Sequence, residues 1–187
     1  SGHYVAVRLA KTFGSRGIDV DNWAYPVNAM PAWKTINNKV ERAVVMGLSR
    51  QESEFNAVAG SHAGARGLMQ IMPGTGRHIA RQYKIANYKT DHLTGKPALN
   101  VAMGEAYLGD LIEDFKGSYI MAFAGYNAGP GNAIKWIKTY GDPRKGHIDA
   151  VDWIESIPIT ETRKYVQKVM QNVHVYRTRL GLRKYTM

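Results

Sequence analysis

The chain has 187 residues, 44% hydrophobic and 21% charged, a composition that supports one domain with a real core and excludes a disordered chain. It holds no cysteine, which excludes a disulfide framework and a thiolate metal site, and no apolar run long enough to span a bilayer. A formal net charge of +10 calls for an anionic partner such as nucleic acid, an acidic lipid surface or a cell-wall polymer carrying peptide carboxylates, or else it only keeps the surface soluble.

In chain order, residues 3–13 predict a short helix, followed by Gly14, Gly17 and a polar stretch to Asn22. From Trp23 to Trp33 the prolines Pro26 and Pro31 predict extended or turned chain, and no catalytic role is expected of this leader. Asn37 or Asn38 is the expected N-cap of a helix that runs to about Glu54. Steps of four back from Glu52 reach Leu48, Val44 and Val40, with Ala43 and Val45 widening the stripe, so Glu52 falls on the core side. A carboxyl there, desolvated and near the negative end of the helix dipole, holds its proton toward neutral pH, as a general acid requires. The other reading is a helix frayed before Glu52, with the side chain in solvent. Glu54, two residues on, points the opposite way and is expected to be solvated.

Residues 61–75 are Gly-rich, nearly uncharged and aperiodic. Their glycines let backbone approach a ligand, and Gln70 among Leu68, Met69 and Ile71 is a neutral donor and acceptor suited to a sugar amide or hydroxyl. Pro73 and Thr75 open a helix to about Tyr83, and residues 85–97 are expected to be a loop. Asn100 is the expected cap of a longer helix with Leu108, Leu111, Ile112 and Phe115 in one stripe and Gly117 at its end. Ser118 opens the next helix, to Tyr126, and Gly129-Pro130-Gly131 breaks the chain before a helix from about Asn132 to Tyr140. Asp149 caps a short helix to Ser156, and Thr160 begins the last, with Val166, Val169, Met170, Val173 and Tyr176 inward. No stretch shows sustained period-two alternation, so the expected architecture is an all-α domain of about seven short helices.

Outside Glu52, two readings stay open for the polar candidates. Tyr126 is either a core tyrosine or a phenol emerging beside a cleft. Glu161, in the first turn of the last helix, is explained by the dipole alone. The six histidines show no ligand spacing and no Asp-rich calcium loop is present, so neither metal nor cofactor is expected. Basic residues cluster only at Lys135–Arg144 and Arg177–Lys184, with no zinc spacing, ribonucleoprotein strand or phosphate loop, which disfavours nucleic acid.

Four motifs, Glu52-Ser53, Gly67-Leu68-Met69-Gln70, Ala124-Gly125-Tyr126-Asn127-Ala128-Gly129-Pro130-Gly131 and Glu161-Thr162-Arg163-Lys164-Tyr165-Val166, occur in an order that resembles the soluble lytic murein transglycosylases. The resemblance implies a lysozyme-like, goose-lysozyme-related catalytic domain over residues 31–187, with 1–30 an arm or the tail of a preceding helical domain. It implies Glu52 as the catalytic residue and Ser61, Met69, Gln70, Tyr126, Asn127, Glu161 and Tyr165 as substrate-binding residues, Tyr165 facing the same side as Glu161. The implied substrate is the peptidoglycan glycan strand, cut by a monomer outside the cytoplasm, in a chain whose signal peptide and any preceding domain lie beyond this sequence. Ordinary glycosidases use two carboxyls, whereas this chain sets one apart, so the expected reaction is transglycosylation with Glu52 as acid and then base. A goose-type lysozyme hydrolysing the same bond is the alternative, and a non-catalytic wall-binding module would have no use for Glu52.

Overall fold

Residues 43–50 lie within one helix and are buried without exception, so the apolar stripe expected there is a helix with no solvent face. The computed structural model describes residues 2–18, 20–37 and 40–182. These form α1 (Gly2–Gly14), α2 (Asp21–Ala24), α3 (Arg42–Ser53), α4 (Pro73–Gln82), α5 (His92–Gly95), α6 (Pro97–Asp114), α7 (Tyr119–Ala128) and α8 (Pro130–Tyr140). A 3₁₀ turn (Pro143–Lys145), α9 (Ala150–Glu155) and α10 (Thr160–Arg179) complete the described elements. Among the described residues the only β pairing is the two isolated bridges Gly60–Arg66 and Arg66–Ile71, so the class is all-α, as expected.

The described residues divide into two compact units, one formed by residues up to 106 together with those from 172, the other by residues 107–171. The first is organised on α3. Gly47 is required there because a Cβ would lie 2.8 Å from Val173 Cγ2 and 2.9 Å from the Val173 backbone nitrogen. Arg50, 8% exposed, donates from Nε to the Ala24 carbonyl at 2.8 Å and from a terminal nitrogen to Asn172 Oδ1 at 3.1 Å, and stacks 3.9 Å over the Tyr25 ring. Asn172 in turn donates to the Gly47 carbonyl at 3.1 Å. A buried guanidinium is tolerable only when its donors are matched in this way. The segment 24–26 is thereby strapped to α3, and Tyr176 adds edge-on ring contacts with Tyr25 and Phe55.

The second unit has Phe123, Trp136, Trp153, Val166 and Val169 in its core. Asp149 caps α9 as expected, accepting from the Val151 N–H at 2.7 Å. Gly125 sits against Phe115, whose ring a Cβ would meet at 3.0 Å.

Several boundaries differ from the sequence reading. The helix expected to be capped by Asn37 or Asn38 begins at Arg42, with Glu41 at its cap position making no side-chain cap bond. The Glu41 carboxylate is instead taken by Arg177, at 2.9 and 2.7 Å, Asn37 donates to the Tyr83 hydroxyl at 2.7 Å, and residue 38 lies outside the described residues. The expected loop 85–97 contains α5, and the chain expected to be extended from Trp23 lies partly in α2. Pro130 is the first residue of α8 and Pro97 the first of α6, where the missing N–H costs nothing, so only Gly129 breaks the chain between α7 and α8. Asn100 is therefore inside α6, fully buried, and caps nothing.

Candidate active site

Helix α3 is buried from Ala43 to Arg50, and at its last turn Gln51 and Glu52 are half-buried. Glu52 is helical, so the frayed alternative does not hold. The chain then turns sharply, because Glu54 (φ 52°) and Phe55 (φ 65°) are both left-handed although neither is glycine. Two such residues cost on the order of 1–3 kcal/mol each and persist only where packing over-determines them. Phe55 is 1% exposed against Tyr176, and Glu54 is held through its carboxylate.

That grip corrects the expectation that Glu54 is solvated. Its side chain is 16% exposed and forms ion pairs with Lys11 and, at 3.6 Å, with Arg8, both on α1. The helical phase used to place Glu54 ends at Ser53, and the left-handed turn redirects the side chain. Glu54→Gln is expected to lower stability by about 0.2–1 kcal/mol, the range of a partly exposed pair. A double-mutant cycle with Lys11→Met in urea melts checks it, and additive losses would show that the pair is not coupled.

The end of α3 is latched to the Gly-rich segment by Ser53, whose hydroxyl donates to the Leu68 carbonyl at 2.7 Å. Reciprocal backbone bonds between Arg66 and Ile71, both 3.0 Å, close the turn that contains Gly67-Leu68-Met69-Gln70. Gly67 is left-handed (φ 79°), and a Cβ on it would stand 2.2 Å from the Leu93 carbonyl oxygen and 2.4 Å from Asn100 Nδ2. Asn100 holds the same turn from beneath. Its Oδ1 accepts from the Met69 N–H at 2.9 Å, and its Nδ2 donates to the carbonyls of Arg66 at 2.9 Å and Leu93 at 3.0 Å.

Within this unit the structure brings together the α3 end, the 66–71 turn and the loop at Ser61. Gln70 is half-buried and left-handed (φ 46°), and its amide nitrogen donates to the carbonyls of Gly67 at 2.9 Å and Ala59 at 3.2 Å. Its amide hydrogens thus serve the loop, and its carbonyl oxygen is what it can offer a sugar N–H or hydroxyl. Ser61 is exposed and its Oγ accepts from the Ala65 N–H at 3.0 Å, which leaves the hydroxyl hydrogen for another acceptor. Met69 departs from expectation. It is fully buried, packed where a Cβ on Gly104 would come within 2.4 Å of its sulfur, so its side chain belongs to the core and not to a sugar-facing surface.

In the second unit Tyr126 is half-buried near the end of α7, its ring 5.3 Å from that of Tyr107. Asn127 ties α7 to the first turn of α10, its Oδ1 accepting from the Thr162 hydroxyl at 2.7 Å. Glu161 is exposed and Tyr165, one turn later on the same helix, is 5% exposed. Sequence reasoning missed Ser53 as the latch and Asn100 as the support. A signal for Asn100 was present in a lone amide within the apolar run Ala98-Leu99-Asn100-Val101-Ala102. Among the described residues no group of three or more His, Asp or Glu is placed to hold a metal ion, and no helix is long and apolar enough to cross a membrane.

The model of the transglycosylase SLT domain matches residues 31–148. The chain belongs to this family. It is 37% identical over 153 residues to the soluble lytic murein transglycosylase of Salmonella typhimurium, a match covering 82% of this chain and 23% of that protein. The crystal structure of the 70-kDa soluble lytic transglycosylase of Escherichia coli superposes with a TM-score of 0.84 at 32% identity, over 96% of this chain and 28% of that one. An inactive glutamate-to-glutamine variant of the lytic transglycosylase Slt from Pseudomonas aeruginosa gives a TM-score of 0.68 at 35% identity, over 78% of this chain and 23% of its own. The SLT chain described here thus spans about a quarter of the length of these relatives, and its fold is their lysozyme-like, all-α one.

Proposed function

We propose that the SLT chain cleaves the β-1,4 bond between N-acetylmuramic acid and N-acetylglucosamine in peptidoglycan and leaves a 1,6-anhydromuramoyl end. The carrying observation is the place of Glu52 on the last turn of α3, which the Ser53 hydroxyl latches to the turn that carries Gln70. The other described carboxylates of the first unit each have partners of their own. Glu41 is held by Arg177, Glu54 by Lys11 and Arg8, Asp91 by Arg66 at 3.1 Å, and buried Glu105 by the Trp33 indole N–H at 2.8 Å and the Val40 N–H at 3.3 Å. A two-carboxyl glycosidase would need a second acid beside Glu52. Glu52 at the accessible end of a buried helix is suited to one-group chemistry.

In this reading protonated Glu52 gives its proton to the glycosidic oxygen, and the C1–O bond breaks as N-acetylglucosamine leaves with a new hydroxyl. The acetamido oxygen of the muramic acid shields the cationic C1. The Glu52 carboxylate then takes the proton of the C6 hydroxyl as O6 bonds to C1, so the acid is regenerated and no water is consumed. Gln70 supplies a carbonyl to the acetamido N–H and Ser61 a hydroxyl to the same sugar. Tyr126, Asn127, exposed Glu161 and the mostly buried Tyr165 are assigned to substrate binding, with Asn127 and Tyr165 also holding the fold. Such a substrate places the activity outside the cytoplasm, with a single chain acting on a glycan strand. The inactive glutamate variant of the Pseudomonas aeruginosa relative supports the central place given to a glutamate.

Digestion of purified sacculi with mass analysis of the muropeptides tests the reading. The main product is expected to be one water lighter than the hydrolysis product and to take up no label from isotopic water. Reducing, label-bearing muramic acid ends as the main product would establish the goose-type lysozyme reaction instead.

A further inference from the structure

The first unit carries a pocket of about 510 Å³, lined by Arg77, Ala80, Arg81, Ile85, Asn87 and Tyr88, that the reaction above does not use. Its volume falls within the roughly 300–1,000 Å³ of small-ligand sites. Arg77 and Arg81 are four apart on α4, so their exposed guanidiniums issue from one helix face. The surrounding stretch 77–92 adds Lys84 and Lys89 against a single acid, Asp91, whose carboxylate is paired with Arg66. Beneath the cations lie buried Ala80 and half-buried Ile85 and Tyr88. The floor is fixed, since a Cβ on Gly76 would stand 2.2 Å from the Tyr88 hydroxyl oxygen. Burial holds the Tyr88 phenol above its ordinary pKa, with the charges of Arg77 and Arg66 pulling against it, so the ring stays neutral. Asn87, left-handed (φ 54°), presents an amide at the rim.

We propose that this pocket binds a short peptide bearing a free carboxylate, with Arg77 and Arg81 on the carboxylate and the Ala80–Ile85–Tyr88 floor under its aliphatic part. Planar guanidiniums match a carboxylate in two parallel hydrogen bonds, and an amide such as Asn87 matches a peptide group. A bare phosphate would satisfy the arginines and leave the apolar floor unused, which favours the peptide. Where the peptide is the one carried by a wall glycan, the inference rests on the reading above.

The test reads binding and not turnover. Acetyl-Ala-Ala as the free acid, the same peptide as its C-terminal amide, and inorganic phosphate are each titrated into the ¹⁵N-labelled chain, and the backbone amides of residues 77–88 are followed. The free acid is expected to shift these amides saturably and at least about fivefold more tightly than the amide or phosphate, as for a charge-assisted hydrogen bond. Arg77→Gln and Arg81→Gln should each weaken the free acid by a similar factor with an unchanged melting temperature, while Lys89→Gln, outside the lining, leaves it unchanged. Equal binding of acid and amide, tighter binding of phosphate, or equal losses in Lys89→Gln would overturn the proposal. Because no step is catalytic, a peptide that fails to bind beside intact anhydromuramoyl production refutes this inference alone, and peptide binding without those products refutes only the reaction.

Discussion

Glu52→Gln is expected to abolish turnover, by at least the roughly 10²–10⁴-fold credited to a positioned general acid or base. Both proton transfers are assigned to this one carboxyl, so its amide supplies neither, and the Glu41, Glu54 and Glu105 carboxylates are held by other groups. The fold should survive. Glutamine is nearly isosteric at a half-buried helix end, and the Ser53 hydroxyl still reaches the Leu68 carbonyl. Removing an ionisable group held for function leaves stability unchanged or slightly higher. Glu54→Gln gives the opposite pattern, a small loss of stability with turnover near that of the unsubstituted protein, because that carboxylate is spent on Lys11 and Arg8. Rates on purified glycan strands beside thermal melts decide it. Turnover retained in Glu52→Gln and lost in Glu54→Gln would reverse the two assignments.

Glu52 and Glu54 also mark how far the sequence can be read. The helical period applies to Glu52 because α3 lasts to Ser53, and the side chain there is half-buried. One residue later the backbone is left-handed at residues that carry no glycine to announce it, so the same period sends Glu54 to the wrong side. Elements with a local signature were legible. Asp149 caps α9, Thr160 starts α10, and Val166, Val169, Val173 and Tyr176 are buried along it at the expected spacing. The burial of α3 on all sides was not legible, because Ser49 and Arg50 look like solvent-facing residues until the Ala24 carbonyl and Asn172 are in place around the guanidinium.

The site divides in the same way. The residue types at Glu52, Gln70 and Tyr126 came from motifs, whereas what each does locally came from contacts distant in sequence. Met69 stands beside Gln70 in a Gly-rich segment, which suggests a ring contact, whereas its full burial against Gly104 of α6 makes it core. Arg77 and Arg81 did not register as a basic cluster because three residues separate them along the chain, although one turn of helix makes them neighbours.

Asn100→Ala is expected to be the most damaging polar substitution in the first unit, at about 2–4 kcal/mol on the basis of roughly 1–3 kcal/mol for each buried group left unmatched. The Met69 N–H loses its acceptor and the Leu93 carbonyl a donor, while the Arg66 carbonyl keeps the Ile71 N–H and loses less. A loss of that size is a large part of a stability of roughly 5–15 kcal/mol. Asn100→Asp separates the polar contribution from the packing one. It preserves shape and the acceptor for Met69, but at neutral pH it sets a buried carboxylate against two carbonyl oxygens, 2.9 and 3.0 Å from the atom it replaces. Burial and those carbonyls both favour the protonated form, so the folded-state pKa lies above the unfolded one. Its stability should therefore be greatest below the unfolded carboxyl pKa of about 4 and fall as pH rises through the folded value. Urea midpoints across pH measure this directly, and a midpoint independent of pH would show that Asn100 does not face those carbonyls. Activity should fall further than the folded fraction does, because the turn that Asn100 holds carries both Gln70 and the Leu68 carbonyl to which Ser53 latches the Glu52 helix.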